Sequence, residues 1–266
     1  MRGKKEFLGK ATAELGRGVL VYSRYTAWLL GDIFQWPFWI IFFFLSVLVY
    51  SPASLADKAV VTNFSFSFFT FIFVSSFIWA SSSLNQEAQQ GIVENLILTN
   101  TPLSIHLFAR MVITSIDILV GGVILLTLSH LFFGAELAIA RPLHFIAALA
   151  IAFVFFLLFT SVLSAVLLAF KSPWLIVSLL QFIIPFSSGA LPVDLLHPDV
   201  ANIVSASPFF YVIHPIVGSA TGRYFIPEHI LFTAAIISTI LMAILAVYVE
   251  KQLIRKALKK GRLGMF

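Results

Sequence analysis

Asp117 stands in the middle of the apolar run Met-Val-Ile-Thr-Ser-Ile-Asp-Ile-Leu-Val-Gly-Gly, and Arg110 precedes it by two helical turns. An ionised Asp at the centre of a membrane helix costs about 2.5–3.5 kcal/mol on insertion, so its side chain must face a partner helix, water or a passage. Two roles stand open for it, a structural polar contact and a part in transport or conformational change. Two turns separate Arg110 from Asp117 by about 10 Å along the axis, so a direct pair needs side-chain reach or a water. Other reactive types are sparse. The six histidines are dispersed, and His130 with His144 is too thin a pattern for a metal, so no metal site is expected. Asp194, His197 and Asp199 suit a hydrolase only with a buried, oriented water, and an external loop is the simpler reading. The absence of cysteine removes thiolate catalysis and sulfur-ligated zinc. A phosphate-cradling loop requires G-x-x-x-x-G-K-S/T, and the nearest fragment, Gly9-Lys10-Ala11, lacks the upstream Gly and the hydroxyl residue. The chain is therefore expected to hold no cofactor and to hydrolyse no ATP.

Elements able to position these residues must be membrane helices. Of 266 residues, 60% are hydrophobic and 11% charged, and the mean hydropathy is +1.00. That leaves too little polar surface for a dispersed soluble domain. Continuous apolar runs reach the roughly 18 residues that cross a hydrocarbon layer of about 30 Å, whereas buried strands in a soluble domain run about four to eight. An all-α polytopic membrane fold follows, because only helices and closed barrels satisfy their own backbone in lipid.

Six spans are expected at about 33–50, 64–80, 104–128, 145–169, 174–187 and 229–249. Pro37 near the start of the first breaks the hydrogen-bond ladder locally, and Trp79 at the end of the second suits an interfacial anchor. Residues 81–101 are the longest polar interval of the first half. Residues 188–228 carry five prolines and three glycines, a punctuation that suits short helices or a re-entrant excursion. A Pro-broken crossing over 203–218 would raise the count to seven. Gly121 and Gly122 permit close helix packing.

The formal charge of +5 is concentrated at the two ends, which argues against nucleic acid as a partner. With six spans and both termini cytoplasmic, most Lys and Arg fall on the inner side and only Lys58, Arg141 and Arg223 outside; seven spans would export the basic tail. The first apolar run is too long for a cleaved signal. Phe7, Leu8, Ala11, Leu15, Val19 and Tyr22 recur at helical spacing among Lys5, Glu6, Lys10, Glu14 and Arg17. They predict a surface helix over 4–24 that contacts lipid or a partner. Leu253, Ile254, Ala257 and Leu258 form a shorter stripe in the basic tail, where each Lys or Arg near anionic lipid contributes about 1 kcal/mol.

Between the second and third spans the order is Glu87, Gly91, Ile92-Val93, Glu94, Leu96 and Thr101-Pro102. This pattern resembles the membrane subunits of type 2 ABC transporters, the ABC-2 permease family, with Ile92 standing where a small hydroxyl residue is common. A Ser-Gly pair within Pro185 to Pro192 and the aromatic segment Ser207 to Ile213 are similar to later parts of the same family, so the resemblance covers nearly the whole chain. It implies a single six-helix transmembrane domain over 1–266 that pairs with a second copy or a homologous permease. It also implies two ATP-binding subunits that bind ATP and Mg, and an exporter in which spans one, two and five line the interface or path. By position in the motif, Glu87, Gly91, Glu94 and Thr101 become candidate coupling residues in a hairpin or short helix over 82–101 that docks on the ATPase. The residues themselves are compatible with this. Gly91 permits close approach, Glu87 and Glu94 would share a face of one helix, and Pro102 suits a helix's first turn. An ordinary polar loop, an intramembrane hydrolase or lipid-modifying enzyme using Asp117, and a non-transporting scaffold are the competing readings.

Overall fold

Asp57 starts the first long buried helix: its carboxylate accepts from the Ala59 amide at 2.8 Å, satisfying a donor that has no partner within the helix. The computed structural model describes residues 2–24, 31, 38–39, 41–42, 44–45, 57–99, 101, 103–167, 173–193 and 196–260. The expected first span, 33–50, lies largely outside the described residues, as do Pro37, Asp194 and Pro102.

Helices follow one another as α1 (Arg2–Arg24), α2 (Lys58–Ala80), α3 (Ser83–Gln89), α4 (Ile92–Leu98), α5 (Leu103–Phe133), α6 (Pro142–Leu167), α7 (Trp174–Phe186), α8 (Pro198–Ser205), α9 (Phe210–Thr221) and α10 (Glu228–Lys260). No strand occurs among the described residues. α1 is helical over the range where a surface helix is expected. α2 begins six residues before the expected span, since the cap lies at Asp57, upstream of the apolar run. At its other end the hydroxyls of Ser81, Ser82 and Ser83 return to the carbonyls of Ile78, Trp79 and Ala80. These buried hydroxyls are satisfied locally, and the helical path continues from Lys58 to Ala88 with little interruption.

The most apolar stretch of that path is 72% buried inside the chain, against 11% for α10. α2 is thus the hub, packed on α5, α6, α7 and α9, while α10 leans on α6 and α9 and turns Ile237, Ile240, Leu241 and Ile244 outward. The core is aromatic. Phe73 meets Phe156 edge-on at 6.3 Å and Phe77 meets Phe153 at 5.8 Å, a geometry that places ring edges on ring faces. A Cβ at Gly122 would overlap the ring of Phe69, so α2 and α5 approach each other because that position carries no side chain.

Among the described residues four helices are long and apolar enough to cross a bilayer, or five if α8 and α9 form one broken span. α8 and α9 are bent by 118° across Ala206 to Phe209, in the segment whose prolines predicted interruption. α7 has 13 residues, about 20 Å of helix, and is shorter than a full crossing.

The bundle has two polar ends. At one, hereafter the elbow end, α2 passes into α3 and α4, and α5 begins. At the other, α5 closes, α6 and α10 start, and α9 stops at Gly222.

Candidate functional site: a buried ion chain at the elbow

α3 is seven residues long, and its inward face carries Leu84, Asn85, Glu87 and Ala88, all buried. Asn85 reaches the C-terminal end of α6, its amide donating to the Leu167 carbonyl at 3.3 Å. Glu87 points between α3 and the first turns of α5. Its side chain is 9% exposed, and a carboxylate in that position needs partners.

Two partners come from α5, one helical turn apart. Arg110 donates to Oε1 of Glu87, and His106 Nε2 donates to Oε2 at 2.6 Å. The other ring nitrogen of His106 faces α1, where Glu14 Oε2 lies at 2.9 Å and Arg17 Nη2 at 3.0 Å. Arg17 also pairs with Glu14 at 3.1 Å. The result is a chain of alternating groups, Arg17, Glu14, His106, Glu87 and Arg110, that ties three separate elements together.

The imidazole has a choice at its α1 side. Nδ1 lies between an acceptor and a donor and serves only one at a time: carrying a proton it bonds Glu14, and bare it accepts from Arg17. With Nε2 committed to Glu87, the first arrangement makes the ring an imidazolium between two carboxylates. Packing supports the joint, since α1 lies against α5 and a Cβ at Gly18 would stand 3.0 Å from Ile113.

Below Glu87 the chain breaks. Gln90 leaves the helix, and Gly91 adopts φ 72°, a left-handed conformation that disfavours any residue with a Cβ. Glu87 and Glu94 therefore lie on two different helices rather than on one face of a single helix. Glu94 sits in α4, and its side chain lies outside the described residues. Gln86, Gln90, Asn95, Leu98 and Thr99 are exposed around the break, with Leu98 at 81%. Thr101 closes the segment. Its amide donates to the Leu96 carbonyl at 2.8 Å, and its hydroxyl meets that of Thr99 at 3.0 Å.

Of the residues singled out in the sequence, Glu87 and Arg110 are brought together, and Gly91 and Thr101 frame the next helix. Asp117 lies elsewhere, half-buried in α5 between exposed Ile116 and buried Ile118. His106, Glu14 and Arg17 escaped notice as site residues. The available signals were the four-residue spacing of His106 and Arg110 and the three-residue spacing of Glu14 and Arg17, each placing two polar groups on one helical face. His130 and His144 do not converge: the first bonds the Ala135 carbonyl at 2.7 Å and the second meets Glu228 at 3.2 Å. No cluster of metal-ligating residues occurs among the described residues.

The site is thus a chain of charges, buried at Glu87 and His106, beside an exposed elbow. Residues 14–220 match the sequence profile of the ABC-2 type transporter family, and the chain belongs to that family. It is a multi-pass membrane permease, the transmembrane partner of an ABC transporter, and not itself the ATPase. No curated protein matches the sequence closely enough to serve as a relative.

Proposed function

We propose that this permease forms an exporter with a second copy of itself or a homologous permease and with ATP-binding subunits, and that α3 and α4 receive the force of ATP binding. Residues 82–101 dock on the ATPase. Gln90, Asn95 and Leu98 supply the exposed contact surface, with Glu94 on the same short helix, while Glu87 faces the other way and holds the elbow to the bundle. In this mechanism a displacement of the elbow moves Glu87, and Glu87 moves α5 through Arg110 and His106 and α1 through Glu14 and Arg17. Both termini are cytoplasmic, and the cargo is amphiphilic or polar.

The observation supporting this reading is the buried ion chain itself. Three elements meet through one imidazole: His106 of α5 bonds Glu87 of α3, four residues before the positive-φ Gly91, and faces Glu14 and Arg17 of α1. Charged pairs in a low-dielectric site resist separation, so the joint moves as a unit.

The native chain has no cysteine, so a single introduced thiol reports its own position. Gln90→Cys is expected to react with an impermeant maleimide only from the cytoplasmic side and to cross-link to the co-expressed ATP-binding subunit. Labelling from the outer face alone would remove the proposed engine contact.

A further inference from the structure

α1 presents an inner face and an outward flank. Ala11, Glu14, Leu15 and Gly18 recur at helical spacing and are partly buried, with Glu14 on His106 and Gly18 against Ile113 of α5. Arg17, Leu20, Val21 and Arg24 recur at the same spacing on the flank and are exposed, Leu20 at 58% and Val21 at 50%. Two arginines thus bracket two apolar side chains over two turns, about 10 Å of helix. The whole helix carries six basic residues against two acidic ones, and one of those two, Glu14, is committed to the ion chain.

Arg17 belongs to both faces. Its Nη2 lies 3.1 Å from Glu14 Oε2 and 3.0 Å from His106 Nδ1, while its side chain is 45% exposed, so part of the guanidinium fork is open to an anion from outside. A phosphodiester matches that fork and carries a full negative charge. The exposed Leu20 and Val21 suit acyl chains rather than water, which favours a phosphate carried on a lipid over a free one. A zwitterionic headgroup brings its own cation and offers the arginines no net charge, whereas an anionic one does.

We propose that the Arg17–Arg24 flank of α1 binds an anionic phospholipid in the leaflet at the elbow end, and that the phosphate draws Arg17 away from His106. Glu14 then becomes the one partner of Nδ1, the ring takes a proton from water at that nitrogen, and α1 is fastened to α5. The remaining charged groups around the imidazole, Glu87 and Arg110, stay in place on its other side. The lipid contact is independent of the elbow's proposed docking, and the permease alone tests it.

The full-length chain is reconstituted without an ATPase into vesicles of equal phosphatidylglycerol and phosphatidylcholine, or of phosphatidylcholine alone. Lipid retained through a detergent wash is measured by mass spectrometry, and Tm by tryptophan fluorescence. Phosphatidylglycerol is expected to be enriched, with Arg17→Gln and Arg24→Gln each lowering the enrichment about fivefold, the effect of one basic residue at an anionic surface. Arg223→Gln, exposed at the opposite end, should leave it unchanged. The native Tm should rise with phosphatidylglycerol. Glu14→Ala removes a carboxylate beside Arg17, so it should retain phosphatidylglycerol at least as well, yet its Tm should no longer rise because the bond that the lipid favours is gone. Equal retention of the two lipids by the native chain would overturn the site, as would a preference unaffected by Arg24→Gln, which lies outside the ion chain. A Tm rise of equal size in Glu14→Ala would overturn the link to His106. The same rise with millimolar glycerol phosphate in phosphatidylcholine alone would overturn the lipid source.

Discussion

Both ends of the bundle carry ion pairs, but they differ in what surrounds them. At the elbow the central Glu87 and His106 side chains are 9% and 3% exposed, the outer Arg110 and Arg17 are 37% and 45% exposed, and the chain of charges links α1, α3 and α5. At the opposite end Arg141 donates to Glu228, His144 meets the same carboxylate at 3.2 Å, and Tyr224 donates to it at 3.2 Å. There Arg141 and His144 are 47% and 49% exposed. Similar residue types thus make a joint in one place and a latch in the other. Water competes for the latch and screens it, whereas at the joint a lost partner leaves a buried charge with nothing to replace it.

The largest effect is expected at the carboxylate where the joint converges. Glu87→Ala leaves the buried His106 ring without its acceptor, while the part-exposed Arg110 turns to water, and should cost about 1–3 kcal/mol. Glu87→Gln keeps the size and one acceptor. It is expected to retain the folded, membrane-inserted permease while cargo-stimulated ATPase activity of the assembled complex falls at least tenfold. Thermal unfolding separates the two variants, and an ATPase rate unaltered by Glu87→Gln would mean that the chain of charges only holds the fold.

Next is the hinge. Gly91→Ala forces a Cβ into the left-handed region at φ 72° and should cost about 1–2 kcal/mol locally. Because the strain falls between α3 and α4, the expected readout is weaker co-purification of the ATP-binding subunit, with a global Tm change of a few degrees at most. A smaller effect is expected at the latch: Arg141→Gln should change stability by no more than about 1 kcal/mol and lose most of that effect in high salt. An Arg141 variant as damaging as Glu87→Ala would erase the distinction between the two ends.

The contrast also sets what a reader of the sequence can see. The apolar stretches at 104–128, 145–169 and 229–249 are legible because one solvent, lipid, imposes one rule on about twenty residues at a time; α5 and α10 contain the first and last, and α6 covers the second as far as Leu167. The interruption at 188–228 is legible from its prolines, since each removes a donor from the ladder. The motif's Glu87 falls in the ion chain. Its inward orientation is not legible, because burial of one carboxylate depends on where His106 and Arg110 arrive, and on an α1 whose Glu14 lies 92 residues from His106. Nor is the break at Gly91, where heptad spacing alone favours one continuous helix and the left-handed turn overrides it.

The smallest effect tests the latch by pH. Burial pushes the Tyr224 phenol above its ordinary value, and the neighbouring Glu228 carboxylate acts in the same direction, while the Ser219 hydroxyl, at 3.0 Å, and Arg141 oppose them. The folded chain then holds this proton more tightly than the unfolded one. The phenol's contribution to stability is therefore fully present below pH 10 and is lost as pH rises through the folded value. The native chain should lose Tm faster than Tyr224→Phe in that alkaline range and track it at neutral pH. At the elbow no tyrosine joins the described ion chain, so the Tm difference between native and Glu87→Gln should stay flat over the same interval. Parallel curves for native and Tyr224→Phe would show that Tyr224 packs against Arg141 without holding its proton for Glu228.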